Sequence, residues 1–197
     1  MSHAEAALRH QAEFAKTTLG FWVYLMTDCV LFACLFATYA VLRGGTAGGP
    51  TGAQLFDLNF ILIETLLLLA SSLTTGIALV GLAAKQTKLI WASLGLTFLL
   101  GAGFLGMELY EFGVLLAEGH GPQASAFLTA YFTLVGTHGF HIAVGLLWLL
   151  VLVYFLYKRG VTSSFEKGLT MFALFWHFLD IIWIFIFTLV YLMGALS

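Results

Sequence analysis

The stretch AFLTAYFTLVGTHGFHIAVGLLWLLVLVYFLY (126–157) decides the fold class, because it contains no Asp, Glu, Lys or Arg. A helix needs about 20 predominantly apolar residues to cross a hydrocarbon layer about 30 Å thick, and this stretch exceeds that length. Four other predominantly apolar stretches also exceed this length, although they contain one or two acidic residues. The sequence therefore predicts five transmembrane helices, at about residues 19–42, 59–84, 89–116, 126–157 and 168–195.

The composition agrees with a membrane protein. Of the 197 residues, 61% are hydrophobic and 9% are charged, whereas a soluble domain carries about 25% charged residues. The net charge of −2 gives no indication of nucleic-acid binding. We expect an all-α integral membrane protein in which residues 19–197 form a single five-helix domain. Residues 1–18 are polar and of mixed charge, so we expect a cytoplasmic surface helix or loose tail and no cleaved signal peptide.

The distribution of cations predicts the orientation. Of the eight Lys and Arg residues, only Arg43 falls outside if the amino terminus is cytoplasmic. The other seven then fall on the cytoplasmic side: Arg9, Lys16, Lys85, Lys88, Lys158, Arg159 and Lys167. Loops rich in Lys and Arg stay inside. We therefore expect a cytoplasmic amino terminus and a periplasmic carboxyl terminus in a bacterial inner membrane.

Small residues within the predicted spans suggest close helix packing. They recur four positions apart in four pairs: Ala33 and Ala37, Ser72 and Gly76, Ala102 and Gly106, Gly139 and Ala143. This spacing allows helix backbones to approach each other in lipid. Cys29 and Cys34 are about 140° apart on a helix, so they can neither bridge nor clip a metal, and we interpret them as small core residues.

Every predicted span carries at least one ionisable side chain: Asp28, Glu64, Glu108 with Glu111, His138 with His141, and His177 with Asp180. A charge at the bilayer centre costs a few kcal/mol even on the mildest scale, so such residues normally face the bundle and have partners. All three pairs have i, i+3 spacing, which places both members on one helix face. Together, the ExxE, HxxH and HxxD patterns on three helices resemble the ligand sets of di-iron bundles, and histidines on two helices can hold a haem.

Depth in the membrane tests the metal and haem hypotheses. With a rise of about 1.5 Å per residue, three side chains lie about 30 Å above the lysine nearest the inner end of their helix: Glu64, Glu108 and His138. The others lie lower: His141 at about 25 Å, Asp180 at about 20 Å, Asp28 at about 18 Å and His177 at about 15 Å. Two imidazoles on one iron need nearly the same depth, since metal–nitrogen bonds are about 2 Å long. The heights therefore argue against a haem or di-metal site in this chain.

We interpret these side chains instead as an intramembrane polar network of Glu64, Glu108, Glu111, His138, His141, His177 and Asp180. An outer layer of Glu64, Glu108 and His138 would share hydrogen bonds, and a deeper layer would join His141 to Asp180. Such interhelical polar contacts fix the register of helices in lipid. Asp28 has fewer obvious partners, so a proton-handling role remains an alternative for it.

Several long motifs resemble those of subunit III of the haem–copper respiratory oxidases. In chain order they are GFWVYLMTDCVLFACLFATYAVL, GTAGGPTG, GAGFLGMELYEF, GTHGFHIAVGLLW and FWHFLDIIWIFIFTLVYLMG. They extend from about residue 20 to nearly the end of the chain. Within the family the chain is most similar to the five-helix subunit III of the bacterial cytochrome bo-type ubiquinol oxidases.

This resemblance implies a non-catalytic, cofactor-free subunit of a complex that oxidises ubiquinol, reduces O₂ to water and pumps protons. In such a complex the haems and copper belong to subunit I. Subunit III packs on subunit I, binds phospholipid in a cleft and supports proton uptake and stability. Asp28 stands where cytochrome c oxidases have a buried glutamate, which suggests a lipid-cleft or proton-handling carboxylate. Lys158 and Arg159 are candidate contacts for lipid phosphate.

Three other functions compete with this interpretation. The chain could be the five-helix subunit III of a cytochrome c oxidase or of a nitric-oxide-reductase cluster, because the electron donor is not fixed by these motifs. It could be an independent membrane haem or metal protein, if the depth argument fails. A transporter is the third alternative, but transporters commonly break helices near mid-membrane, and both prolines, Pro50 and Pro122, lie in loops.

Overall fold

The computed structural model describes the backbone of residues 3–195 and the side chains of residues 15–195. Five of its helical segments are long and apolar enough to cross a membrane, as the sequence predicts. The elements are α1 (His3–Leu42), α2 (Gly52–Leu55), α3 (Leu58–Ala83), α4 (Thr87–Ala117), α5 (Ala126–Arg159), α6 (Ser163–Ile186), a π-helical turn (Phe187–Leu192) and α7 (Met193–Ala195).

Helix α1 is longer than a single membrane crossing. Its 40 residues span about 60 Å at about 1.5 Å per residue, against a hydrocarbon thickness of about 30 Å. Residues 3–18 belong to this helix and continue without a break into the first span. Residues 1 and 2 of that predicted segment lie outside the described part of the chain.

Polar caps and a glycine define several helix ends. The side chains of Asp57, Ser125 and Thr162 accept hydrogen bonds from backbone N–H groups in the first turns of α3, α5 and α6. These bonds satisfy donors that have no partner within the helix. Gly160 ends α5 with a φ of 69°, a left-handed conformation that glycine adopts without steric cost. These signals explain why α6 begins at Ser163, before the start at residue 168 that apolar composition predicts.

The helices form a bundle with two distinct ends. Helices α3 and α4 make the most extensive pair, α6 packs against α3 and α5, and α1 packs mainly against α5. We call the end formed by residues 43–57 and 118–125 the glycine-rich end. The opposite end, formed by residues 84–88 and 158–167, is the lysine-rich end.

Two glycines accept a tryptophan at the centre of the bundle. The side chain of Trp176 on α6 is buried, with 1% exposure. A Cβ atom added at Gly101 or at Gly145 would lie 2.9 Å or 2.8 Å from the Trp176 ring. Because such contacts are shorter than van der Waals distance, only glycine at both positions lets α4 and α5 close around this ring.

The small residues that the sequence singles out are only partly at helix contacts. Gly139 is buried against α4, but no side chain or neighbouring helix comes within 4 Å of a Cβ built at Gly76 or Gly106. Ala33 and Ala37 face outward from α1. The prediction that these pairs mediate packing within the chain is therefore wrong for Ala33 and Ala37, because α1 turns its other face to α5.

The prediction that both cysteines are core residues is also wrong. Cys29 and Cys34 are free thiols exposed on the outer surface of α1. The face of α1 that packs inward carries Leu25, Asp28 and Phe32. Apolar character alone could not identify the inward face, because every face of a membrane helix is apolar.

The packing of Trp176 gives a test of the fold. We expect Gly145→Ala to lower the free energy of unfolding by about 1–3 kcal/mol, because the added methyl group overpacks the Trp176 ring. Gly106→Ala is the matched control, since it adds the same group at an open helical position and should leave stability unchanged or raise it by up to about 1 kcal/mol, because alanine is the better helix former. Unfolding in mixed micelles with increasing dodecyl sulfate measures both. Equal stability of the two variants would contradict the packing described.

Candidate functional site: polar groups buried between the helices

Three glutamates lie in the half of the bundle nearer the glycine-rich end. Glu64 on α3 and Glu108 on α4 are buried, with exposures of 0% and 1%, and Glu111 is partly buried. The three carboxyl groups are close enough to interact electrostatically. Within the described residues, neither Glu64 oxygen has a hydrogen-bond partner, and the same is true of Oε2 of Glu108. Buried polar groups are almost always satisfied, so these unpartnered oxygens are exceptions among the described residues.

The Glu108 carboxyl group lies directly on the backbone of α5. Any side chain at Gly139 would collide with it, because a Cβ there would lie 2.8 Å from both Cδ and Oε2 of Glu108. Gly139 is therefore required for Glu108 to enter the bundle between α4 and α5. The small residue that the sequence links to helix packing in fact accommodates a carboxyl group.

Glu111 is joined to two buried tyrosines. The Tyr191 hydroxyl lies 3.0 Å from Oε2 of Glu111, to which it donates a hydrogen bond, and 3.1 Å from the Tyr131 hydroxyl. Both tyrosines have 0% exposure. The π-helical turn Phe187–Leu192 contains Tyr191, and such turns are rare and frequently found at functional sites. The sequence did not predict this contact. A tyrosine near the end of a span is as typical of the membrane interface as of a buried hydrogen bond, and Tyr191 was interpreted as interfacial.

His138 bonds to a different helix from the one the sequence predicts. Its ring is completely buried and lies against Phe104 and Trp183, with centroids 5.8 Å and 5.1 Å away. Nε2 of His138 is 3.2 Å from the carbonyl oxygen of Leu179 on α6. No direct hydrogen bond connects it with Glu64 or Glu108 among the residues described. The three side chains of the predicted outer layer therefore occupy one region of the bundle without bonding to one another.

The deeper layer is arranged differently from the prediction. Nε2 of His141 lies 3.9 Å from Oδ2 of Asp28 on α1, and Nδ1 lies 2.7 Å from the carbonyl oxygen of Thr137. The side chains of His141 and Asp28 are only 14% and 10% exposed. The predicted pairing of His141 with Asp180 is thus wrong, because α1 packs against α5 and supplies the carboxylate.

His177 and Asp180 lie together on the other side of the bundle. Nδ1 of His177 is 2.7 Å from the Ser72 hydroxyl on α3, and Asp180 is close enough to interact electrostatically with His177. Both side chains are partly exposed. With Ser72 they line a groove of about 470 Å³ between α3 and α6.

A ladder of hydroxyl groups on α3 was not singled out by the sequence reasoning. The indole N–H groups of Trp176 and Trp183 donate hydrogen bonds to Ser71 and Thr65, over 2.9 Å and 3.0 Å. The Thr74 hydroxyl meets that of Thr97 on α4 at 2.7 Å. The sequence does contain a signal for these contacts. The segment SSLTT (71–75) places four hydroxyl groups in an apolar span, on faces of α3 that meet two neighbouring helices.

The two cations predicted to contact lipid lie at the lysine-rich end. Lys158 and Arg159 are exposed in the last turn of α5. Arg159 lines a groove of about 270 Å³ whose other walls include Trp148 and Phe155 of α5 and Ser164 of α6. The groove therefore combines an apolar wall with a positively charged rim.

This arrangement is suited to holding helices in register and gives no ligand set for a metal. Among the side chains that the structure describes, those of residues 15–195, no three from His, Cys, Asp or Glu converge as they would around a metal ion. His138, His141 and His177 each have one ring nitrogen engaged by a protein oxygen. The polar groups instead connect α1 to α5, α3 to α4 and α6, and α5 to α6.

Comparison with known proteins agrees with this architecture. Residues 3–195 match the family described as cytochrome c oxidase subunit III. The chain is 57% identical over 183 residues to the cytochrome bo(3) ubiquinol oxidase subunit 3 of Pseudomonas aeruginosa, covering 92% of this chain and 87% of that protein. It is 53% identical over 180 residues to the protein of the same name from Pseudomonas putida, covering 91% and 87%.

A relative with a different printed name is nearly as similar. The cytochrome c oxidase subunit 3 of Bacillus sp. strain PS3 is 48% identical over 179 residues, covering 91% of this chain and 86% of that protein. The match to the family thus extends through all five membrane-spanning segments. This chain is a multi-pass membrane protein that belongs to the cytochrome c oxidase subunit III family.

Proposed function

We propose that this chain is the non-catalytic subunit III of a proton-pumping terminal oxidase that transfers electrons from ubiquinol to O₂. The observation that carries the proposal is the family match over residues 3–195, together with relatives named as ubiquinol oxidase subunits. The haems and copper are assigned to subunit I. The polar side chains of this chain serve to fix its helices in register, which agrees with histidine nitrogens that bond to protein oxygens.

The proposed setting is a bacterial inner membrane with the glycine-rich end in the periplasm. Seven of the eight cations then lie at or beyond the cytoplasmic lysine-rich end, as expected for a protein with Lys-rich and Arg-rich inner loops. The amino terminus is cytoplasmic and the carboxyl terminus periplasmic. The chain packs on subunit I and on other subunits of the oxidase.

A phospholipid is the proposed ligand at the lysine-rich end. Its acyl chain would lie along Trp148 and Phe155, and its phosphate would meet Arg159 and the neighbouring Lys158. The groove beside Arg159 supports this assignment, because it joins an apolar wall to a cationic rim. Arginine binds phosphate through several donors in a fixed geometry.

An alternative electron donor is favoured by one specific observation. The relative from Bacillus sp. strain PS3 is named cytochrome c oxidase subunit 3 and covers as much of the chain as the quinol oxidase subunits do. Cytochrome c is therefore the second candidate donor for the complex. The electron donor used by the purified complex distinguishes the two.

Purification of the tagged chain tests the proposed function. In mild detergent, the chain should retain subunits that carry haem and copper, and the complex should oxidise ubiquinol. Separation of the subunits should leave the haem absorption with the larger partner. Purification of this chain free of any haem-bearing protein, or haem absorption that stays with this chain alone, would contradict the proposal.

Asp28 is the side chain of this chain that we propose to support turnover of the complex. Its carboxylate faces His141 from α1 with little exposure, and we assign it to proton handling or to the lipid cleft. We expect Asp28→Ala to leave the complex assembled but to shorten the period of turnover before activity is lost. Glu166→Ala, an exposed change at the lysine-rich end, is the control. Progress curves of oxygen consumption measure the effect, and identical time courses would remove Asp28 from the functional residues.

A further inference from the structure

The glycine-rich end carries a cation that the topology of the chain does not explain. Arg43 is the only Lys or Arg in residues 43–57 and 118–125, the segments that form this end. It follows directly after Leu42, the last residue of the first apolar span, so it stands at the boundary between that span and the loop. Loops on the outer side are normally poor in Lys and Arg, because these residues favour the cytoplasmic side. A local role for Arg43 is therefore expected.

Arg43 lines a cavity of about 390 Å³. Tyr39 and Phe127 form the aromatic part of its wall, with ring centroids 6.2 Å apart, and both side chains are buried. Thr46 and Thr51 line the same cavity and supply hydroxyl groups. The cavity therefore combines a positive charge and hydroxyl groups with an aromatic wall.

The loop that forms one wall of the cavity is held in place by the rest of the bundle. The N–H group of Phe127 donates a hydrogen bond to the carbonyl oxygen of Gly45 over 3.2 Å, which ties the loop to the start of α5. Gly52 packs closely against α7, since a Cβ there would lie 3.1 Å from the carbonyl oxygen of Gly194. These contacts form the cavity before any ligand binds, as is usual for ligand sites.

No carboxylate of the described chain neutralises Arg43. Among the side chains of residues 15–195, no Asp or Glu oxygen lies within 4 Å of an Arg43 nitrogen. A guanidinium group presents several donors in a fixed plane that matches the oxygens of a phosphate. The charge of the cavity is therefore complementary to an anionic oxygen ligand.

An apolar face of α1 continues from the cavity towards the middle of the span. Ala40 lines the cavity, and Ala37 and Ala33 follow at spacings of three and four residues, which place them on the same side of the helix. All three alanines are exposed. Beside this face Phe36 packs on Phe185 of α6, with ring centroids 6.3 Å apart. The small side chains leave room for a flexible apolar chain along the helix.

We propose that this cavity binds the headgroup of an anionic phospholipid, whose phosphate meets Arg43 and the hydroxyl groups of Thr46 and Thr51. One acyl chain of the lipid lies along the alanine face of α1. A phospholipid matches both surfaces, because it joins an anionic phosphate to a long apolar chain, whereas a free phosphate ion would use the cavity alone. The site lies at the opposite end of the bundle from the groove beside Arg159. It is formed by this chain alone, so it does not depend on the electron donor of the complex.

Photolabelling of the purified complex tests the site. The complex is placed in phosphatidylcholine nanodiscs that contain a small fraction of phosphatidylglycerol with a diazirine in one acyl chain. Mass spectrometry should find the label on peptides from the end of α1 and from residues 187–195. Arg43→Gln should lower this labelling roughly threefold to tenfold, because one cation near a membrane surface attracts an anionic headgroup by about that factor. Lys88→Gln, which removes an exposed cation at the lysine-rich end, is the matched control and should leave it unchanged.

Two results of this experiment would overturn the proposal. One is the absence of label from these peptides in the wild-type complex, as expected if another subunit covers the cavity. The other is equal labelling of these peptides in the wild type and in Arg43→Gln.

The shape of the cavity is tested separately from its charge. Ala40→Phe should lower the same labelling although Arg43 is retained, because the larger side chain occupies part of the cavity. Val41→Phe is the matched control at a neighbouring position that is 81% exposed and should leave the labelling unchanged. Full labelling in Ala40→Phe would contradict the proposed position of the lipid. An excess of inorganic phosphate should not displace the lipid, and loss of labelling in its presence would assign the cavity to a free anion instead.

Discussion

Polar groups inside a hydrocarbon layer must find partners within protein, and this requirement shapes the bundle more than any single apolar contact does. Apolar side chains cannot select which face of a membrane helix turns inward, because lipid is as apolar as they are. The inward faces here are those that carry carboxyl, imidazole, hydroxyl and indole groups. Asp28, Glu64, Glu108 and His138 are all buried, and each marks the side of its helix that meets another helix.

Glycine supplies the second half of this arrangement. The carboxyl group of Glu108 lies on Gly139, and the ring of Trp176 lies between Gly101 and Gly145. The indole N–H of Trp176 then reaches Ser71 on α3. One bulky side chain on α6 thus contacts α3, α4 and α5, because two helices present bare backbone to it and the third presents a hydroxyl group. Register and packing are set at the same positions.

The sequence predicts the number of membrane crossings well, because length and apolar composition determine them directly. The predicted depths of the ionisable residues remain predictions, which follow from the fixed rise of a helix. The sequence does not predict which helices pair. His141 meets Asp28 and not Asp180, because depth is compatible with either carboxylate and only the packing of α1 on α5 selects between them. Cys29 and Cys34 are exposed for the same reason, because they lie on the side of α1 that faces away from α5.

Hydroxyl and tyrosine contacts are harder to predict for a related reason. Thr65 receives the indole N–H of Trp183, and Tyr191 reaches Glu111 from a π-helical turn. Serine, threonine and tyrosine are tolerated on lipid-facing and interfacial surfaces, so their presence in a span does not reveal a contact. Glutamate and aspartate are not tolerated there, which is why the carboxylates were recognised from sequence and their hydroxyl neighbours were not.

The central claim is that His138, His141 and His177 fasten helices and hold no cofactor. A density map of the intact complex at side-chain resolution tests it most directly. The account predicts that every porphyrin and copper lies in another subunit, with Nε2 of His138 on the Leu179 carbonyl and His141 beside Asp28. A porphyrin or a metal ion bound by His138, His141 or His177 would contradict it.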